Sequence, residues 1–476
     1  MSEPRPEGLQ TTVDEWRAFL GKRYRRFLGI GVGQATVSAL AGDGLTIPLL
    51  LALGAHPALA TVIGVLPFAF SSAQLLVPRL LRRFGGNLRG LTMAILLVGE
   101  TRGFILAALT GLAAAGVLPR PVAIVAIGAV MTMAGAATTI GGTNLLAWYG
   151  AILSDPERRF VAPRVMGVNL GLGAFLLLPV AILVQAVGDR LGVVVYALVF
   201  VVAGLAGVAE LLVVRRLPKP GRVLVAARSR TPDGTPLAPA GGLAGGPTAL
   251  LPIVPSGELD RFLRSITLAA FGAGFGPYLS IYAISVLGLP PAFAILLAAL
   301  SSAASLVSAT VVGGLLGRGS ASRTLRLSFL LRGGSMIFGL LSFPQNPLAW
   351  LVLCIVAVVA SAGAAAGTLS SNERLMRLSP GPGLIDAQGR FVAGTAAGIT
   401  IGQVTNAVIL AILPLGYPTF AILFTASGLT RFVAAARADV SATWSSSTMA
   451  FRIDDLTDDD RAGEGAPRGP TEPPGP

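Results

Sequence analysis

The sequence consists mainly of long apolar segments separated by short polar or basic connections. Most segments hold about 20 residues or more, the length that a helix needs to cross a bilayer. Apolar and polar residues do not alternate as they would in the strands of a membrane barrel. Helices are expected because backbone groups in lipid must be hydrogen-bonded within their own segment. We number the predicted helices spans 1 to 12 in chain order: 28–54, 57–81, 90–117, 121–150, 163–187, 191–214, 263–288, 291–317, 325–343, 348–371, 391–414 and 418–437.

Basic residues are concentrated in every second connection between these spans. They precede span 1 and follow spans 2, 4, 6, 8 and 10, whereas the other connections hold only Arg120 and Arg190. Loops rich in arginine stay in the cytoplasm, so this alternation predicts that both chain termini are cytoplasmic. The clusters are Arg17, Lys22, Arg23, Arg25 and Arg26; Arg79, Arg82, Arg83 and Arg89; Arg158, Arg159 and Arg164; Arg215, Arg216, Lys219 and Arg222; Arg318, Arg323 and Arg326; and Arg374, Arg377 and Arg390.

The composition of the chain agrees with a membrane protein. Of its 476 residues, 53% are hydrophobic and 12% are charged, and the mean hydropathy is +0.74. An average soluble protein has about a quarter of its residues charged. The net charge of +13 is distributed over many connections, whereas nucleic-acid-binding proteins gather their basic residues on one face. We therefore expect an all-α polytopic membrane protein that does not bind nucleic acid.

Few residues suit metal, disulfide or nucleotide chemistry. Cys354 and His56 are the only cysteine and histidine, so neither a disulfide nor a metal site is expected. Lys22 and Lys219 are the only lysines, and neither follows the glycine pattern of a P-loop. We therefore expect no cofactor, no metal and no ATP-hydrolysing site. The polar start of the chain does not resemble a signal peptide.

An internal repeat divides the chain into two halves. Leu53–Ala60 resembles Leu287–Ala294 at the turn from the first to the second helix of each half, and the same register places Gly85 over Gly319. Two six-helix halves of like orientation are a known transporter construction. The predicted organisation is a cytoplasmic segment 1–27, a six-helix bundle 28–216, a flexible cytoplasmic linker 217–260, a second six-helix bundle 261–438 and a disordered cytoplasmic tail 439–476.

Two short motifs connect this topology to a known family. The loop after span 2 reads Pro78-Arg-Leu-Leu-Arg-Arg-Phe-Gly-Gly86, and the matching loop of the second half ends at Arg318. The stretch Trp148–Phe160, between spans 4 and 5, combines aromatic residues with Asp-Pro and arginines.

From about Arg23 to Arg437 the chain resembles a 12-helix bacterial permease of the major facilitator superfamily. The family motif G-x-x-x-D-R-x-G-R is kept at Arg83 and Gly85, whereas Arg82 replaces its acidic residue. The resemblance implies two pseudo-symmetric six-helix bundles, with Arg82, Arg83, Gly85 and Arg318 in the inner gate loops. Because the family's acidic residue helps to lock that gate, its replacement implies that this gating contact is different here.

Ionisable side chains inside the spans are functional candidates because a buried charge in lipid is costly. Asp43 lies half-way along span 1, where glycines and Pro48 weaken the helix. Glu100 and Arg102 occupy the middle of span 3, two positions apart and so on different sides of a regular helix, and Arg332 lies in span 9. Asp43 and Glu100 are candidates for proton coupling, and Arg102 and Arg332 for binding an anionic substrate. A protonated structural aspartate and a buried ion pair are the alternatives.

Polar and aromatic side chains of several spans are candidates for a substrate cavity. In the family that the chain resembles, spans 1, 4, 7 and 10 line the cavity, and amides and amphipathic aromatics suit a partly apolar solute. The alternative is that these side chains hydrogen-bond neighbouring helices. The candidates are Thr46, Asn144, Trp148, Tyr278, Tyr282, Gln403 and Asn406.

The sequence as a whole predicts a secondary active transporter and not an enzyme. Its expected partners are a small-molecule substrate, protons and the lipid bilayer, and the expected state is a monomer. The aromatic cavity candidates favour efflux of amphipathic compounds over uptake. The preference for arginine over lysine indicates a prokaryote, hence its cytoplasmic membrane. A lipid scramblase or a membrane enzyme on the same scaffold is the alternative, although we find no cluster of catalytic groups on one side of the membrane.

Overall fold

The computed structural model describes the helical part of the chain. The described residues are 24–70, 80–81, 83–85, 87–153, 155–218, 257–275, 278–316, 321–378 and 383–438. The predicted tail 439–476, most of the predicted linker and the gate-loop residues Arg82 and Arg318 lie outside these ranges.

The predicted spans correspond to helices in the structure, and three of the spans are divided into two helices. Span 1 comprises α1 and α2, span 3 comprises α4 and α5, and span 7 comprises α9 and α10. The helices are α1 Arg25–Leu40, α2 Asp43–Ala52, α3 Pro57–Ala69, α4 Leu88–Glu100, α5 Arg102–Ala114, α6 Arg120–Ile152, α7 Asp155–Leu191, α8 Val194–Arg215, α9 Gly257–Phe275, α10 Leu279–Ser285, α11 Pro291–Leu316, α12 Ala321–Phe338, α13 Ala349–Leu378, α14 Gly383–Ile412 and α15 Tyr417–Arg437.

The helices have the length and composition of membrane spans. Among the described residues, eleven helices are long and apolar enough to cross a bilayer, and span 2 contributes the shorter apolar helix Pro57–Pro67. Large apolar side chains such as Phe175, Val125 and Ile182 are exposed on the outside of the bundle, where lipid would surround them. The prediction of an all-α membrane protein with about twelve spans is confirmed.

The turns after spans 1 and 7 have the same conformation. Gly54 and Gly288 occupy the same repeat position, and both have a positive φ, of 90° and 64°. A glycine in this conformation ends a helix without the steric cost that a side chain would bring. The two halves therefore share local structure at the position where their sequences match.

Spans 1 and 3 are each interrupted near their middle. The break between α1 and α2 contains Gly42, and in span 7 the described residue Tyr278, directly before α10, has an extended backbone. Span 3 is interrupted at Thr101, although no proline is present there. Helix ends leave backbone carbonyl groups without a partner in their own helix, so other groups must satisfy them.

Glycines allow spans 1, 3 and 6 to pack closely in the first half. A Cβ atom added to Gly207 of span 6 would lie 2.1 Å from the carbonyl oxygen of Glu100, and one added to Gly103 of span 3 would lie 2.4 Å from the backbone nitrogen of Gly204. Small residues at such crossings are typical of membrane helices, because close backbone approach maximises van der Waals contact. This packing brings the middle of span 6 against the break in span 3.

The two halves contact each other through three groups of spans. We call the side that holds Arg25, Arg89, Arg215, Arg323 and Arg437 the arginine-rich side. Span 1 contacts spans 7 and 8 through α2, and span 2 contacts span 11 through α3. Both α2 and α3 lie toward the opposite side. Spans 5 and 8 pack together along the middle of the two helices, where Gly171 meets Leu306.

Candidate functional site

The guanidinium group of Arg102 lies where spans 1 and 3 are both interrupted. Its Nε donates to the carbonyl oxygen of Ala41 at 3.1 Å, and Nη2 donates to that of Val37 at 3.3 Å. Nη1 donates to the carbonyl oxygen of Gly99 in its own span at 3.2 Å. These carbonyls belong to the C-terminal ends of α1 and α4, where the helix dipoles favour a cation. The two helix breaks therefore explain how an arginine can be buried in this position.

Three carboxyl groups lie near this single guanidinium. Asp43, Glu100 and Glu210 all lie close enough to interact electrostatically with Arg102. Glu100, Glu210 and Arg102 are 3%, 1% and 7% exposed, whereas Asp43 is half-buried. Glu100 and Arg102 lie on either side of the short interruption at Thr101, and Arg102 bonds span 1 whereas Glu100 faces Glu210 of span 6. We call Asp43, Glu100, Arg102 and Glu210 the carboxyl cluster.

Glu210 of span 6 was not among the candidates from the sequence. Neither of its carboxylate oxygens has a hydrogen bond of normal geometry, and its polar neighbours include Gln34, Glu100 and Tyr149. Its side chain passes over Gly33, where an added Cβ atom would lie 2.5 Å from the Cβ atom of Glu210. An acidic residue inside an apolar run was visible in the sequence, so the rule that selected Asp43 would also have selected Glu210.

Asp43 links the carboxyl cluster to the second half of the chain. It is the first residue of α2, and it interacts electrostatically with Tyr278 at the start of α10. The Tyr278 hydroxyl faces Gln403 of span 11. A Cβ atom added to Gly64 of span 2 would lie 2.6 Å from this hydroxyl oxygen. Asp43, Tyr278 and Gln403 therefore lie together where spans 1, 2, 7 and 11 join the two halves.

Comparisons with known proteins identify the fold. No family model and no curated protein matches the sequence. The structure is similar to a D-xylose–proton symporter, with a TM-score of 0.64 and 13% identity over 87% of this chain and 95% of that one. It is also similar to a bacterial homologue of the iron transporter ferroportin in an inward-facing state, with a TM-score of 0.59 and 14% identity over 87% and 96% of the two chains. The nucleoside transporter NupG gives a TM-score of 0.58 and 15% identity over 87% and 98%. The chain has the major facilitator fold. The three neighbours are named as a proton symporter, an iron-transporter homologue and a nucleoside transporter.

The remaining charged candidate lies in the other half of this major facilitator fold. Arg332 of span 9 is half-buried, and it is separate from Arg102, whose polar neighbours all belong to the first half. It lies beside Arg431 of span 12, which is 4% exposed and which the sequence interpretation also missed. Arg431, like Glu210, is an ionisable residue inside an apolar run.

Several predicted cavity residues are occupied by contacts within one half of the fold. Trp148 is fully buried and donates to the carbonyl oxygen of Pro218, and Tyr282 is fully buried and donates to that of Ser342. The Thr46 hydroxyl faces the sulfur atom of Met131 at 3.7 Å. Such interhelical contacts are the alternative that the sequence left open.

The two amide candidates differ in their surroundings. Asn144 and Asn406 are both 0% exposed. Neither amide atom of Asn144 has a hydrogen-bond partner, so this side chain retains donors and an acceptor for a ligand or water. Asn406 has a polar partner and shares span 11 with Gln403.

The loops on the arginine-rich side contain part of the predicted gate. Arg83 is exposed, and Gly85 has a φ of 61° with open space around it. Gly85 therefore serves the turn between spans 2 and 3. The Trp148–Phe160 stretch is not a long loop, because α6 ends at Ile152 and α7 begins at Asp155. Asp155 and Pro156 suit the first turn of a helix.

A pocket opens on the side opposite to the arginines. It has a volume of about 470 Å³ and lies among the ends of spans 1, 3, 4, 5, 6 and 8. Arg120, Gln185 and Tyr196 are polar residues in its lining. It is distinct from the carboxyl cluster, none of whose members line it. No group of three or more metal-ligating residues occurs among the described residues.

Proposed function

We propose that this protein is a secondary active transporter that moves a small solute by alternating access and couples that movement to protons. The observation that carries the proposal is the carboxyl cluster, in which three acidic side chains share one arginine in the middle of the membrane-spanning part. An intramembrane group of ionisable residues is expensive, and proton relays are one of its established uses.

The charge balance of the cluster supports proton binding. If Asp43, Glu100 and Glu210 were all ionised, Arg102 would compensate only one of three negative charges. Glu100 and Glu210 face each other, and two adjacent carboxylates repel strongly where water is scarce. A proton shared between them removes that repulsion. The pair is therefore suited to hold a proton in one state and to release it in another.

The position of Asp43 supports coupling between the proton and the movement of the helices. Alternating access requires the contacts between α2 and spans 7 and 8 to open and close. Asp43 lies within this contact region and faces Tyr278, while its other polar neighbour is Arg102. Protonation removes the attraction between Asp43 and Arg102 and alters its interaction with the tyrosine. The stability of the closed contact thus depends on the proton.

The test is proton-linked flux in liposomes that contain the purified chain. A thermal-shift screen first selects a solute, because a ligand that binds the folded form stabilises it. A pH-sensitive dye inside the liposomes then reports proton movement when that solute is added. We expect Asp43→Asn and Glu100→Gln to abolish proton movement while solute exchange without a gradient continues.

An exposed acidic residue provides the matched control. Asp260→Asn removes a carboxylate that pairs with Arg390 at an exposed position on the arginine-rich side, so proton-linked flux should remain normal. Unchanged proton movement in both Asp43→Asn and Glu100→Gln would overturn the coupling proposal. Lipid flipping without solute flux would instead favour a scramblase.

We propose an orientation of the protein in the membrane but no direction of transport. By the positive-inside rule, we place the arginine-rich side on the cytoplasmic side of a prokaryotic cell membrane. The preference for efflux rested on an aromatic cavity, and Trp148 and Tyr282 are instead hydrogen-bonded within the packed interior. Proton coupling does not depend on that preference, because the carboxyl cluster involves neither side chain.

A further inference from the structure

We infer that Arg332 and Arg431 form a binding site for a small soluble anion in the second half of the fold. The inference does not depend on proton coupling, since it concerns different residues and a different ligand.

The two arginines lie close together inside the helix bundle. Arg431 donates from Nη1 to the backbone carbonyl oxygen of Arg332 at 3.3 Å, and its Nε has no hydrogen-bond partner. The two guanidinium groups are near enough to repel each other. Arg431 lies six residues before the end of span 12, which places it about 9 Å inside the helix. Two like charges at this depth are unfavourable unless a negative charge accompanies them.

The described interactions of the two arginines include no carboxylate. Two ion pairs of this half, Arg374–Glu258 and Arg390–Asp260, lie at helix ends on the arginine-rich side. The short gaps 276–277, 317–320 and 379–382 contain no acidic residue, whereas the side chain of Asp386 and the residues after 438 lie outside what the structure describes. The counter-charge that we infer is an anion from solution.

Spans 3 and 9 each contain an arginine followed by a glycine that packs against the last span of its half. Arg102-Gly103 in span 3 corresponds to Arg332-Gly333 in span 9, and each glycine packs against the last span of its half, at Gly204 and Gly428 respectively.

The last spans of the two halves differ in the charged residue near this contact. Arg431 lies three residues after Gly428, whereas the acidic residue of span 6, Glu210, lies six residues after Gly204. The first half therefore has a carboxyl group near its arginine, whereas the second half has a second arginine beside Arg332.

Glycines leave room for the two arginine side chains. A Cβ atom added to Gly363 of span 10 would lie 2.7 Å from Cγ of Arg332, and one added to Gly272 of span 7 would lie 3.1 Å from Cγ of Arg431. Arg332 is half-buried, so part of its side chain is accessible.

The experiment measures anion-dependent stability of the purified full chain in a neutral detergent. Thermal unfolding midpoints are recorded at constant pH and ionic strength while sodium gluconate is replaced by chloride, acetate or phosphate. We expect at least one of these anions to raise the midpoint with a saturable dose dependence. Arg332→Gln and Arg431→Gln should each weaken the apparent affinity about tenfold or more, since charge-assisted hydrogen bonds are lost.

Two further variants serve as controls for the loss of charge and for the loss of an arginine elsewhere. Arg431→Lys retains the charge and should retain the saturable response, and Arg323→Gln removes an exposed arginine of the same span as Arg332 and should behave as the unmodified chain. The inference is overturned if no anion raises the midpoint above that in gluconate, or if the rise persists in both glutamine variants. Stabilisation by phosphatidylglycerol alone would also overturn it.

Discussion

Replacement of Arg102 by methionine tests whether the carboxyl cluster is held together by this one cation. Arg102→Met keeps an apolar side chain of similar length in the helix but removes three hydrogen bonds, to the carbonyl oxygens of Val37, Ala41 and Gly99. At about 0.6 kcal/mol for each hydrogen bond inside a membrane, this loss amounts to about 2 kcal/mol. Removing one partner of a buried charge pair costs about 3–5 kcal/mol in total.

The effect should depend on pH in a defined direction. At pH 8 the carboxyl groups lose their cation, and we expect the free energy of unfolding to fall by about 3–5 kcal/mol. At pH 5 they can take up protons and no longer need the cation, so the loss should shrink toward the hydrogen-bond part of about 2 kcal/mol. The loss in the free energy of unfolding caused by Arg102→Met is therefore largest in alkaline solution and decreases as the pH falls.

The assay is unfolding by dodecyl sulfate in mixed micelles, followed by circular dichroism at both pH values. Arg89→Met is the matched control, because Arg89 lies in the same span but donates a single 2.7 Å hydrogen bond, to Arg215, at an exposed position. It should cost less than about 1 kcal/mol. A loss below about 1 kcal/mol for Arg102→Met, or an equal loss at pH 5 and pH 8, would refute the reasoning.

Two other predictions concern packing and the cavity candidates. Gly207→Ala should prevent stable folding, because its Cβ atom would lie 2.1 Å from the Glu100 carbonyl oxygen. In the control Gly111→Ala, the added Cβ atom meets open space and should not lower the thermal unfolding midpoint. Equal midpoints for the two variants would contradict the close crossing of spans 3 and 6. Tyr282→Phe removes the hydrogen bond to Ser342 and should lower the free energy of unfolding by about 1 kcal/mol without changing solute flux in liposomes. Loss of flux at unchanged stability would instead place Tyr282 in the transport path.

The spans could be predicted well from the sequence because each apolar run crosses the bilayer as a helix. Predicted boundaries such as 291–317 and 418–437 agree with α11 and α15 to within one residue. The lipid environment requires helical segments long enough to cross it, and the arginine clusters mark one end of each span. Span 5 was less well predicted, since α7 begins at Asp155 and not near residue 163. Its first two turns are polar enough to resemble a loop.

The site could be predicted only in part. Asp43, Glu100 and Arg102 could be predicted because a charged residue inside an apolar run is recognisable from the sequence alone. Glu210 and Arg431 carried the same signal and were missed. The electrostatic interaction between Asp43 and Tyr278 depends on packing between residues 235 positions apart, which the periodicity of the sequence does not encode.

The two buried groups of charges suggest how one fold can serve two ligands. Span 6 holds an acidic residue, Glu210, near Arg102, and span 12 holds a basic residue, Arg431, beside Arg332. If protons relieve the excess negative charge of the first half, as we propose, its stability should respond to pH. If an anion relieves the excess positive charge of the second half, as we infer, its stability should respond to anion concentration. Because the charges lie in separate halves, either response can be removed by mutation while the other is retained.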